Sequence, residues 1–268
     1  MAKRSRPPRA RRLGGSLSRV RILLSPSEAK SLDGPGDPLD LTALSLPALT
    51  ATRRTVADAL VTLCTGDPDR ARSALGLSEK LGWEVGLDAR LWSSPTAPAL
   101  TRYTGVLYDA LDQESFTGAA RSRAQSRLWI GSALFGLLAA TDPIPHYRLS
   151  AGTTLPGLKT LRATWRPALT SVTAEWADDL VLDLRSGGYH QLGPVPGAVT
   201  VDVVTEYPDG SRKVVSHFSK RHKGLLARTL ATSAAEMDDV ASLLRVARRA
   251  GHRLEQASEN LLTMITDP

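Results

Sequence analysis

Between Ser211 and Ala235 the chain carries six bases, Arg212, Lys213, Lys220, Arg221, Lys223 and Arg228, and no acid. A second acid-free stretch, Pro143 to Thr173, holds Arg148, Lys159, Arg162 and Arg166. Cations gathered in this way bind phosphate or carboxylate. At the start of a helix, as the Lys220 to Leu230 pattern implies, the free backbone N–H groups of Lys220, Lys223 and Gly224 add to the same attraction. The plain alternative is a pair of solvated basic faces. What favours an anion site is that polar, glycine-containing loops follow two apolar runs: Ser25-Pro26-Ser27-Glu28-Ala29-Lys30 after Val20 to Leu24, and Arg185-Ser186-Gly187-Gly188-Tyr189 after Leu180 to Leu184. Open α/β sheets place ligands outside strand ends of this kind. Lys30, Tyr108, Ser186 and Tyr189 are the groups able to supply acid, base or nucleophile there.

Other chemistries find no support. His146, His190, His217, His222 and His252 lack metal-ligand spacing, so no metal or cofactor is expected. Neither a phosphate-loop nor a dinucleotide glycine fingerprint occurs, and Ser186 lacks the Gly-x-Ser-x-Gly frame of a hydrolase nucleophile. The single cysteine, Cys64, lies on an apolar helix face, where a buried inert thiol is expected.

The elements that must position these residues alternate. Strands are expected at Val20 to Ser25 and Leu180 to Leu184, with a hairpin of Val199 to Tyr207 and Arg212 to Phe218 around Pro208-Asp209-Gly210-Ser211. Helical spacing covers Leu49 to Cys64, Pro68 to Leu75, a segment from about Glu79 capped by Ser78, Arg123 to Ala140, Trp165 to Ala177 and Lys220 to Leu230. Ser233 to Glu236 has the form of a capping box opening a helix to Arg249. The mixed order predicts an α/β or α+β fold in one domain over residues 20–268. Within it, Gly76, Ser78, Lys80 and Gly82 between two short helices fit a helix-hairpin-helix at about 50–92, whose turn amides hold a DNA phosphate without reading bases. An ordinary helical hairpin has the same pattern.

Charge is unevenly placed. The net +7 comes from residues 1–21, which hold eight bases and no acid, leaving 26 bases against 27 acids in the remainder. Residues 1–19 read as a disordered Arg-rich tail, or as the product of a start codon placed upstream of the true one. No apolar run approaches the ~20 residues that span a bilayer, and no signal peptide is apparent, so the protein is expected in the cytoplasm, as a monomer, with no membrane partner.

Several segments together resemble the YaaA peroxide-stress family (UPF0246-type). They are Ser25 to Lys30, Ser78 to Leu81, Tyr103 to Tyr108, Thr141 to Leu149, Trp165 to Pro167, Leu182 to Tyr189 and Phe218 to Gly224, in the family's order. The resemblance implies a compact mixed α/β domain of the "cantaloupe" type with a helix-hairpin-helix and a positive cleft. It also implies a role in protecting DNA from peroxide by limiting iron-dependent damage, and DNA as a partner. By position it marks Lys30, Ser78, Lys80, Tyr108, Tyr147, Arg148, Ser186, Tyr189, Lys220, Lys223, Gly224 and Arg228. The chain departs from the family's pattern at Phe135, which replaces a Tyr, at Ala139, which replaces an Arg, and at Lys223, which exchanges an Arg fork for a point charge. Two function classes follow: a DNA-binding protein acting through phosphate contacts, or an enzyme on a nucleotide, nucleobase or other small anion.

Overall fold

The computed structural model describes residues 20–214 and 219–268; the tail at 1–19, and His217 and Phe218 at the end of the expected hairpin strand, lie outside the described residues. In chain order the first half runs β1 (Val20–Leu24), β2 (Gly36–Pro38), α1 (Thr50–Thr65), α2 (Pro68–Ala74), α3 (Trp83–Ala89), β3 (Pro95–Pro98), α4 (Ala99–Arg102), α5 (Val106–Leu111) and α6 (Gly118–Arg127). It continues through β4 (Leu128–Ser132), β5 (Gly136–Ala139), β6 (Pro143–Pro145), α7 (Leu161–Ala174), β7 (Leu180–Asp183), α8 (Gly187–Leu192), β8 (Val199–Glu206) and β9 (Arg212–Val214). The chain closes with α9 (Ser219–Thr232), α10 (Val240–Arg249), β10 (Arg253–Ser258) and β11 (Leu261–Thr266).

The main sheet has the order β10-β11-β8-β7-β1-β4-β5, with β9 paired to β8. Strand β1 is its parallel centre: Ile22 to Leu24 lie beside Leu128 to Ile130 on one side, and Val20 to Leu23 beside Leu180 to Asp183 on the other. Ile22, Leu23 and Leu24 have no solvent exposure, the continuous apolar composition of a strand covered on both faces. From β1 the chain first goes to β4, then returns to β7 on the opposite flank. The winding direction therefore reverses beside β1, and the crevice outside the carboxyl ends of β1 and β7 is where such sheets place ligands.

A small sheet, β2-β3-β6, stands apart from the large one. Its partner is the buried Arg102, whose guanidinium donates to the carbonyls of Ser31, Asp33, Pro95 and Ile144. One side chain thereby ties the loop after β1 to β3 and to the middle of β6, and an isolated bridge pairs Lys30 with Tyr103.

The expected single mixed α/β domain is what the chain forms. Three local expectations fail, one of them the helix from Glu79 capped by Ser78, since α3 begins at Trp83 and Ser78 makes no side-chain cap. Arg123 to Ala140 is not one helix: α6 ends at Arg127, and β4 and β5 form an antiparallel hairpin in the core. Gly136 takes φ 76°, and a Cβ there would lie 2.6 Å from the Trp165 ring, so the turn needs glycine for both conformation and space. The capping box at Ser233 to Glu236 is also displaced: Asp239 and Ser242 form it, with α10 starting at Val240. The C-terminal hairpin β10-β11 had no counterpart among the expected elements.

Candidate functional site

Three loops meet outside the β1 and β7 ends. Ser25 Oγ accepts the Ser186 N–H at 2.7 Å, joining the loop after β1 to the loop after β7. The backbone carbonyl of Ser25 accepts from the Tyr108 hydroxyl at 2.9 Å, which adds the start of α5. Ser186, Gly187 and Gly188 are exposed, whereas Tyr189 turns half-buried and Tyr108 is buried.

Lys30 lies at the centre. Its Nζ donates to the carbonyls of Ser27 (2.9 Å) and Glu28 (3.2 Å). It sits 4.4 Å from the centre of the Tyr147 ring and 5.4 Å from that of Tyr103. The tyrosine hydroxyls continue inward: Tyr103 Oη and Tyr147 Oη are 2.7 Å apart, as are Tyr147 Oη and Ser132 Oγ. Ser132 ends β4, and its Oγ also accepts the N–H groups of Leu134 and Phe135. Phe135, where the resemblance expects Tyr, is fully buried and stands edge-on to the Tyr147 ring at 5.4 Å, so the lost hydroxyl is replaced by packing.

Behind Lys30, α3 brings two acids into the interior. Asp88 is fully buried; its Oδ1 accepts the Arg148 N–H at 2.9 Å, and its Oδ2 has no partner among the described residues. Glu84, one turn earlier, is also buried. Its Oε2 is 3.8 Å from both His146 Nε2 and Arg148 Nε, too far for a hydrogen bond to either. The Arg148 guanidinium reaches outward instead, to Glu28 Oε2 at 2.8 Å.

These surroundings move the titrations. Burial, aided by the nearby Arg148 charge, pulls the Lys30 amine down to about 7. The ring contacts favour the cation by only ~0.5–2 kcal/mol, less than the opposing loss of hydration. Burial likewise pushes the Asp88 carboxyl up to about 8, against the Arg148 N–H and the Lys30 charge, which lower it. Tyr108 and Tyr147 are raised by burial, and Tyr189 is pushed to about 12 by the same cause.

Under the β7 loop lies a second charged cluster. Asp183 is buried, and burial alone would raise it. The Arg185 guanidinium, bonded at 2.8 and 2.7 Å, and His190 Nδ1, at 2.9 Å, overcome this and hold it well below the carboxylate range. Burial lowers Lys223, with the charges of Asp183 and Asp202 opposing.

Lys30, Tyr108, Arg148, Ser186 and Tyr189 are thus gathered around one crevice. The remaining expected residues have other surroundings. Gly224 packs α9 against α5: a Cβ there would lie 2.3 Å from the Leu107 carbonyl oxygen. Arg228 donates to the Leu111 and Asp112 carbonyls at the end of α5, and to Asp112 Oδ2 and Ser115 Oγ. Lys220 is exposed, and so are Gly76, Ser78 and Lys80, with Gly82 half-buried. Ser78 precedes a short 3-10 turn at Glu79–Leu81 without capping it through its side chain. Sequence reasoning missed Glu84, Asp88, Arg102 and Ser132 as site residues, and held Ser25 and Tyr103 only as members of the Ser25 to Lys30 and Tyr103 to Tyr108 segments. A signal existed for the two acids: Leu81, Glu84, Val85, Asp88 and Leu91 share one helical face, so the acids interrupt an apolar stripe. Among the described residues no group of three or more His, Cys, Asp or Glu side chains is placed to hold a metal ion, and no helix is long and apolar enough to cross a membrane.

The fold and crevice define a mixed α/β protein with a lysine-centred polar site at the reversal point of its sheet. The model of the family described as "Peroxide stress protein YaaA" matches residues 20–258, and the chain belongs to that family. It is 49% identical over 250 residues to a UPF0246 protein of Corynebacterium efficiens, covering 91% of this chain and 99% of the relative. A UPF0246 protein of Streptomyces coelicolor is 44% identical, with 87% and 91% covered, and one of Shewanella woodyi 31% identical, with 77% and 84% covered.

Proposed function

We propose that this peroxide-stress family member is an enzyme acting on a small anionic molecule, of nucleotide, nucleobase or other acid type, in the crevice outside β1 and β7. Arg148 attracts the anionic group, Lys30 supplies a free amine as base or nucleophile, and Ser186 and Tyr189 stand at the mouth. The observation that carries this reading is the enclosed Lys30 amine, held by two carbonyls between two aromatic rings with a buried acid behind it. A lysine whose task is to neutralise phosphates keeps its hydration and its charge; this one gives up much of both. Melting curves with mononucleotides, short carboxylic acids and DNA oligomers test it. Stabilisation by a small anion, lost in Arg148→Ala, is expected; stabilisation by oligomers alone refutes it.

A second reading, binding of DNA, is favoured by a different place. The turn between α2 and α3 has Gly76 at φ 65° with open space around it, next to exposed Ser78 and Lys80, which suits a helix-hairpin-helix approach to a phosphate. In that case Lys80→Ala weakens binding to duplexes of any sequence and lowers the salt slope by about 1. An unchanged affinity and slope removes the hairpin from consideration. Action in the cytoplasm and limitation of iron-dependent oxidative damage complete the proposal at the level of the cell.

A further inference from the structure

Lys30 and Asp88 differ from a binding pair in what each leaves unused. A neutral amine has two hydrogens and one lone pair. The Ser27 and Glu28 carbonyls take both hydrogens, so the group free to react is the lone pair. Asp88 has one oxygen fixed by the Arg148 N–H and the other buried with no partner among the described residues. A carboxyl in that position is a proton carrier, since an unpartnered buried carboxylate is costly and the protonated form is not. Binding an anion calls for a permanent cation, and a lone base needs no second acid. A free amine and a protonated acid at the same pH are jointly required by one common reaction, the condensation of an amine with a carbonyl.

We propose that Lys30 forms an imine with the carbonyl carbon of an oxo compound that carries a carboxylate or phosphate, and that Asp88 supplies the proton for the loss of water; this rests on the reading of the crevice as a pocket for small anions. The Lys30 nitrogen adds to the carbonyl carbon, and one of its hydrogens moves to the oxygen, giving the carbinolamine. Asp88 protonates that hydroxyl, the C–O bond breaks, water leaves, and the nitrogen lone pair forms the C=N bond. The iminium cation is left within the electrostatic reach of the Asp88 carboxylate, so charge is created in pairs and no oxidant or reductant is consumed. Arg148 orients the substrate. Its present outward partner, Glu28, is 67% exposed, and an ion pair of that kind is readily exchanged for a ligand anion. The other groups around the pair are Glu84, His146, Cys64, Tyr103, Tyr147 and Tyr189.

The test is reductive trapping on the full chain. Glyoxylate or pyruvate is added at pH 7 with cyanoborohydride, and modified lysines are located by peptide mass mapping. The chain has seven lysines, and Lys3, Lys80, Lys159, Lys213 and Lys220 serve as internal references; Lys223, itself lowered by burial, is left out of the comparison. With its amine at about 7, Lys30 is half unprotonated at pH 7, against about 1 part in 3,000 for an ordinary lysine titrating near 10.5. Labelling of Lys30 at least ~100-fold faster than of those five references is expected after allowing for the lower nucleophilicity of a weaker base. Asp88→Asn keeps the acceptor for the Arg148 N–H and removes the proton donor; where Asp88 would be ionised it also removes a charge that raises the Lys30 amine. It should slow trapping at least tenfold, with the pH midpoint of Lys30 labelling no higher than before. Label spread evenly over the lysines, absence from Lys30, or full speed in Asp88→Asn each overturns the proposal. Melting curves with the same two acids and no reductant separate the two readings: stabilisation without trapping overturns the imine step and leaves the anion pocket, whereas neither stabilisation nor trapping overturns both.

Discussion

Replacing Lys30 by methionine should stabilise the protein at pH 7. The amine moves from 10.5 to about 7 on folding, which at ~1.4 kcal/mol per tenfold step corresponds to about 5 kcal/mol. In the unfolded chain the amine is protonated below 10.5, while in the folded chain it loses its proton above about 7. Between these values the unfolded state binds more protons, so stability climbs with pH through this window. The penalty is complete below 7, about 4 kcal/mol at pH 7 and absent above 10.5. Methionine fills a similar volume without the charge, but forfeits the hydrogen bonds to Ser27 and Glu28, at ~1 kcal/mol each, and part of the aromatic contact. The net gain at pH 7 is about 1–2 kcal/mol, or about 3–6 °C in Tm for a chain of this length. Calorimetric melts of both proteins from pH 6 to pH 10.5 are the measurement. The gap should close and change sign toward the alkaline end. A less stable variant at pH 7, or a gap independent of pH, would refute the account of Lys30 as an amine held against its hydration. The gain would be in stability alone, since the same substitution removes the reactive group.

Gly224→Ala should destabilise by about 2–4 kcal/mol, measured by urea unfolding, because its Cβ meets the Leu107 carbonyl oxygen and the Ala110 methyl where α5 and α9 touch. Asp183→Asn should cost about 3–5 kcal/mol, because Arg185 is left as a buried charge without its carboxylate. Since the native carboxyl lies far below its usual range, the wild-type advantage should be present at pH 7 and fade as the pH falls through the acid range. Cys64, buried and pushed up to about 12 by burial with a contribution from Asp88, should resist Ellman's reagent at pH 8 until the chain unfolds.

What the sequence made visible follows from range. Strands β1 and β7 were legible because a strand covered on both faces is a mostly apolar run, here broken by one charged residue each, and Lys30, Ser186 and Tyr189 because they lie in the loops those strands deliver; Arg148 stood out instead as a base in an acid-free stretch. The hairpin of β4 and β5 was read as helix for the same reason: Leu128, Ile130, Leu134, Leu137 and Leu138 are all buried, and a fully buried strand has no polar alternation to betray it. Asp88 and Glu84 were passed over as functional groups, despite interrupting an apolar stripe, because an acid on a short helix is ordinarily solvated. Only the packing of α3 against α1 and against the His146–Arg148 segment takes their water away. Gly224 and Arg228 show the converse. Their types fitted an anion site, yet one supplies the absence of a side chain between two helices and the other closes the end of α5.

The hydroxyl chain from Ser132 to Tyr103 has a fixed sense. Ser132 Oγ already accepts two backbone N–H groups, so its own hydrogen must go to Tyr147. Tyr147, having accepted, must donate to Tyr103, and Tyr103 is left with the only hydrogen in the series not committed to another member. The backbone turn after β4 thus dictates, three oxygens away, that the terminal phenol faces its surroundings as a donor. Valine at 132 would release that constraint and let the two phenols reverse.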